Sequence, residues 1–143
     1  LVLSLYADGI DGSIAIYQNR ESQFGAILDS VADRISEALW FYVAYRIGAP
    51  AWLVLITYVI ASTQEYARAR LGGLGISAVG VVTPAERPVR ASFIFIALVA
   101  NGIGLNLTTP TMAVLGALQL FSFFLVCRWA YNSLGHDFGA ESN

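Results

Sequence analysis

Asp8 and Asp11 stand three residues apart, and Asp29 and Asp33 stand four apart. On a helix, either spacing puts both carboxylates on one face. All four lie within Tyr6–Glu37, inside sequence apolar enough for a membrane. A charged carboxylate in hydrocarbon costs about 2.5–3.5 kcal/mol, and four together also repel one another. A hard divalent cation offsets both costs, because Mg²⁺ and Mn²⁺ take oxygen ligands and share them with a substrate phosphate. Two such ions about 4 Å apart clamp the attacking and leaving oxygens of a phosphoryl displacement. Asp8, Asp11 and Asp29 are the expected ligands. Asp33, one turn deeper, is expected to ligate as well or to take the proton of an attacking hydroxyl. Gly12, Ala15 and Gly25 leave room for a close approach by backbone or ligand.

The elements that carry these residues are read from composition and punctuation. Of 143 residues, 57% are hydrophobic and 13% charged, and the net charge is −2. Mean hydropathy is +0.63. These values indicate an integral membrane protein of one domain, spanning 1–143, with no nucleic-acid partner. The sequence predicts an all-α, polytopic membrane helix bundle. Its five transmembrane helices fall at about 1–17, 24–47, 51–71, 88–100 and 111–131, followed by a frayed polar tail from 132. The opening LVLSLY reads as the middle of a helix, so a segment upstream is expected. The short polar link at 18–23 makes the first two helices an antiparallel hairpin. Both acidic pairs therefore lie near one membrane face.

All eight basic residues are arginine. Counting loops alternately, Arg20, Arg68, Arg70, Arg87, Arg90 and Arg128 fall on one side, and only Arg46 on the other. The positive-inside rule makes the first side cytoplasmic, and the aspartates share it. Arginine clusters bind phosphate through charge-assisted contacts. Positive-inside anchoring at anionic headgroups explains the same residues equally well. Glu37 continues the Asp29–Asp33 stripe as a structural or pocket-wall residue, and Glu65 and Glu86 are expected to pair with nearby arginines. Trp40, Phe41, Tyr42 and Tyr45 are expected to pack near the non-cytoplasmic interface. Cys127 is expected to be a small buried hydrophobe.

The acidic segment resembles the CDP-alcohol phosphatidyltransferase family. That family's motif is D-x-x-D-G-x-x-A-R, eight residues, then G-x-x-x-D-x-x-x-D. Asp8, Asp11, Gly12, Ala15, Gly25, Asp29 and Asp33 match it in register, while Ile16 stands in place of the arginine. The resemblance implies six transmembrane helices, the first missing here, and a homodimer in a bacterial inner membrane with its site facing the cytoplasm. It implies Mg²⁺ or Mn²⁺, two ions, held by the aspartates. Asp33 is then the catalytic base, and Gly12, Ala15 and Gly25 shape the nucleotide pocket. The implied reaction transfers a phosphatidyl group from CDP-diacylglycerol to a small alcohol, releasing CMP. A phosphorylated polyol, glycerol phosphate or inositol phosphate, is the favoured acceptor, and the likeness of YARAR and ERPVR to the family's acceptor segments implies that Arg68 and Arg87, then Arg90, hold its phosphate. Ile16 supports an alternative, a catalytically silent membrane subunit of the same fold. A cation transporter is disfavoured because the acids cluster at one face.

Overall fold

The computed structural model describes residues 23–75 and 82–140, with side chains up to 134. Among the described residues are four α-helices: α1 (Gln23–Arg46), α2 (Ala51–Gly73), α3 (Arg87–Gly102) and α4 (Thr108–Ala140). The expected helix over 1–17 lies outside the described residues.

Glycine and proline set the helix ends. Gly48 adopts φ 106° after α1. There Gly48 N–H donates to Tyr45 O and Ala49 N–H to Ala44 O, both at 3.0–3.1 Å. That is the paired bonding of a Schellman end, which needs a left-handed residue. Gly104, at φ 83°, closes α3 in the same way, with Leu105 N–H on Ala100 O at 2.8 Å. Pro50 precedes α2, and Pro88 occupies the first turn of α3, where its missing N–H costs nothing. The helix α4 runs past the expected stop near Tyr131 to Ala140. Asn132 and Ser133 are polar, but no proline follows to end the helix. The expected frayed tail is therefore helical as far as 140.

Helices α1 and α4 each pack against both α2 and α3. The apolar core joins Trp40, Phe41 and Ala44 of α1 to Val54, Ala91, Ile94, Met112 and Leu115. Phe41 and Tyr58 meet with their rings tilted by 59° and their centroids 5.6 Å apart. Helices α2 and α4 come close at Gly116, where a Cβ would lie 3.0 Å from Thr57 Oγ1. Small residues commonly allow such approach between membrane helices.

Beside this apolar core the bundle buries several polar side chains, and its exterior is largely apolar. Arg90, Glu37, Gln64, Gln119, Thr57 and Ser122 are all fully buried. Phe24, Ile27, Leu28, Trp52, Leu55, Phe121 and Phe124 are more than half exposed. Among the described residues, one helix is long and apolar enough to cross a membrane by length and composition, over Thr108–Leu134. The five-span reading is not met helix by helix. Helix α1 carries Asp29, Asp33, Arg34 and Glu37, α2 carries Glu65, Arg68 and Arg70, and α3 has 16 residues.

Candidate active site

The antiparallel helices bring the start of α1, the end of α2 and the start of α3 to one end of the bundle. Asp29 and Asp33 share a face of α1, Asp29 exposed and Asp33 partly buried. Gly25 lies one turn before Asp29. Ser36 and Glu37 continue the face one turn beyond Asp33.

Arg87, the first residue of α3, pairs with Asp33 through Nη2 and Oδ1 at 2.8 Å. The same Nη2 donates to Ser36 Oγ at 3.2 Å. Its guanidinium lies 5.2 Å from the ring centroid of Trp40, within cation–π range. Trp40 is thus buried beneath the charged end, whereas the sequence expectation placed it toward the opposite interface. Tyr42 does face that far end, where Arg46 donates to its hydroxyl at 3.0 Å.

One turn deeper, Arg90 is fully buried. Its Nε donates to Glu37 Oε1, Nη2 to Glu65 Oε1 at 3.1 Å, and Nη1 to Ala85 O at 2.6 Å. Glu37 takes a second arginine, Arg34, at 2.8 Å. This cluster ties α1, α2 and α3 together. Arg90, expected to meet an acceptor phosphate, thus has all three guanidinium nitrogens engaged with protein. A charge buried this deeply survives only because it is paired on several sides.

A third set of contacts anchors the segment that leads into α3. Arg68 of α2 grips Glu86 with both terminal nitrogens, each at 2.9 Å. Glu86 Oε1 also accepts from the Thr83 N–H and from the Thr83 hydroxyl, each at 2.8 Å. Burial works against the Glu86 charge, but the bonds from Arg68 and Thr83 hold its carboxyl down at about 2. Gln64 donates to Thr83 Oγ1 at 3.3 Å, and Gln119 of α4 donates to Gln64 at 2.9 Å. Ala85 N–H donates to Ser122 Oγ, also on α4, at 3.0 Å.

The structure places Asp29, Asp33, Arg68 and Arg87 at one end of the bundle. Asp8, Asp11, Gly12, Ala15 and Ile16 lie outside the described residues. Among the described residues, no three His, Cys, Asp or Glu side chains are grouped to hold a metal ion. The two described aspartates offer hard carboxylate oxygens, a donor type that fits Mg²⁺ or Mn²⁺. Sequence reasoning missed the roles of Trp40, Ser36 and Thr83 and the burial of Glu37. The i,i+3 spacing of Arg87 and Arg90 against the i,i+4 spacing of Asp33 and Glu37 was the available signal, since it lets two helices pair at two depths. Cys127, expected to be buried, is exposed on α4.

Residues 1–130 match the family described as CDP-alcohol phosphatidyltransferase. The chain belongs to this family. Among curated relatives, an archaetidylinositol phosphate synthase from Pyrococcus horikoshii is 34% identical over 106 residues, covering 72% of this chain and 55% of that protein. A second, from Aeropyrum pernix, is 30% identical over 133 residues, covering 92% of this chain and 66% of the relative. A phosphatidylinositol phosphate synthase from Cutibacterium acnes is 35% identical over 95 residues, covering 61% of this chain and 46% of the relative. The chain thus spans less than two thirds of the length of these CDP-alcohol phosphatidyltransferase relatives. The matched stretch contains α1, α2, α3 and most of α4, so every side chain at the charged end falls inside it.

Proposed function

We infer that this chain is a phospholipid-synthesising phosphatidyltransferase. It acts on CDP-diacylglycerol and a phosphorylated polyol of the inositol phosphate or glycerol phosphate class. The observation that carries this reading is the Asp33–Arg87 pair: a family-motif carboxylate meets an acceptor-side arginine at one end of the bundle. The names of the archaeal and bacterial relatives support an inositol phosphate acceptor. The apolar exterior of α1, α2 and α3 supports a polytopic arrangement with all four helices in the membrane, because soluble monomers rarely expose so much contiguous apolar surface. The arginine distribution supports a site facing the cytoplasm, and the family resemblance supports a homodimer.

In this reading Asp29 and Asp33 act with Asp8 and Asp11 as the carboxylate face toward the pyrophosphate. Mg²⁺ or Mn²⁺, two ions by the expected donor set, supplies charge neutralisation there when bound. Gly12, Ala15 and Gly25 leave space for the cytidine. Arg87 meets the phosphate of the acceptor, and Arg68 lies on the neighbouring helix. Asp33 takes the proton of the acceptor hydroxyl as its oxygen bonds to the phosphorus that carries diacylglycerol. The bond from that phosphorus to the bridging oxygen breaks, and CMP leaves with the electron pair. Arg90 holds the helices in register and does not touch substrate.

The test is CMP release from CDP-diacylglycerol in mixed micelles with Mn²⁺. Inositol phosphate, glycerol phosphate and the corresponding phosphate-free polyols serve as acceptors. Release with a phosphorylated polyol, abolished by EDTA, is the expected result. No release with any acceptor would favour the silent subunit instead.

A further inference from the structure

Arg68 and Arg87 differ in what they touch. The planar fork of Arg68 is matched to Glu86, the carboxylate immediately before Arg87 in the chain. Such a bidentate pair is among the stronger polar contacts in proteins. Thr83 and Ala85 of the same short segment are held as well, by Glu86, Gln64, Ser122 and Arg90. Pro84 within the segment and Pro88 just after it restrict the backbone. The segment 83–86 is thus fixed from α2, α3 and α4 at once. Its continuation delivers Arg87 onto Asp33 and the face of Trp40.

We propose that Glu86 is a positioning residue that, gripped by Arg68, aims Arg87 at the acceptor's phosphate, so that Arg68 acts on the acceptor through Glu86 and not by contact. This rests on the assignment of Arg87 to the acceptor above. The competing arrangement makes Arg68 a direct phosphate ligand, with Glu86 as its competitor. The two predict opposite signs for one substitution. If Glu86 competes, Glu86→Gln frees Arg68 and tightens phosphate binding. If Glu86 positions, the same change lets the segment move and weakens binding.

The experiment titrates inorganic phosphate into the detergent-solubilised full chain and reads heat or ³¹P line width, so turnover is not needed. Glu86→Gln is expected to weaken phosphate binding about tenfold, as for loss of one charge-assisted contact. Arg68→Ala should do the same, and the double variant should be no weaker than either single one. Thr83→Val should weaken binding in the same direction, and Thr83→Ser should restore it. In turnover, Glu86→Gln should raise KM for the phosphorylated acceptor and leave KM for CDP-diacylglycerol unchanged. Phosphate binding by Glu86→Gln as tight as the parent's, or tighter, would overturn the proposal. So would a parent chain that binds no phosphate, or weakened variants that all lose CDP-diacylglycerol as well. A chain that shows this binding pattern without releasing CMP keeps the clamp and loses the enzyme reading. One that releases CMP with tight-binding Glu86→Gln loses the clamp alone.

Discussion

The two ends of the bundle are built by different means. At the far end, two glycine-closed helix stops face each other, and Thr108 and Asn101 both donate to Ile47 O at 3.3 Å. That end is held by turn geometry, neutral hydrogen bonds and apolar packing, all of which stabilise at little desolvation cost. At the near end, buried Arg90 and Glu37 pair, with partly exposed Glu65 completing the cluster and Arg87 and Asp33 one turn above it. A buried ion pair is a weak route to stability, because desolvating the charges offsets much of their attraction. A fold needing only stability would treat both ends alike. The contrast is the one the proposed function requires, with the substrate site at the charged end and scaffolding at the other.

That contrast breaks if substitutions at the two ends have similar consequences. The largest expected effect is at Asp33. Asp33→Asn should lower CMP release by about 10²–10⁴-fold, the range for losing a general base, with unfolding little changed; steady-state assay beside thermal unfolding checks it. Next is Arg90. Arg90→Ala should destabilise the fold by about 3–5 kcal/mol, because Glu37 is left buried beside an emptied site. Arg90→Met together with Glu37→Met should recover most of that loss without restoring activity, and denaturant unfolding reads both. Gly48→Ala, at the far end, should cost about 1–2 kcal/mol, because the left-handed backbone there disfavours a Cβ. Its CMP release should stay at the parent's level.

The smallest effect concerns pH. Glu86 is held at about 2 in the fold, against an ordinary 4.5. A depressed carboxyl contributes stability that is full above the unfolded value and is lost as pH falls through the folded one. The stability difference between the parent and Glu86→Gln should therefore be constant above about pH 5 and shrink between pH 4.5 and 2. Unfolding midpoints across that range measure it.

Much of the scaffold was legible in the sequence. The expected ranges 24–47, 51–71 and 88–100 fall within a few residues of α1, α2 and α3, because the glycine and proline that end helices act locally. The acidic face of α1 was legible from its i,i+4 spacing. The reach of α4 was not, since polar residues weaken an apolar pattern without stopping a helix. Nor was the fate of Arg90. Whether an arginine faces solvent, lipid or a buried pair of glutamates depends on which helices surround it, and that is a tertiary property. Trp40 was misplaced for the same reason: interfacial preference gave way to a cation one helix away.

The account stands most directly on divalent-ion binding at the charged end. Mn²⁺ titrated into the solubilised chain, with free ion read by electron paramagnetic resonance, should show binding that is markedly weakened in Asp29→Asn and Asp33→Asn. Gly48→Ala should bind as the parent does. Equal Mn²⁺ binding by the parent and both aspartate variants would contradict it.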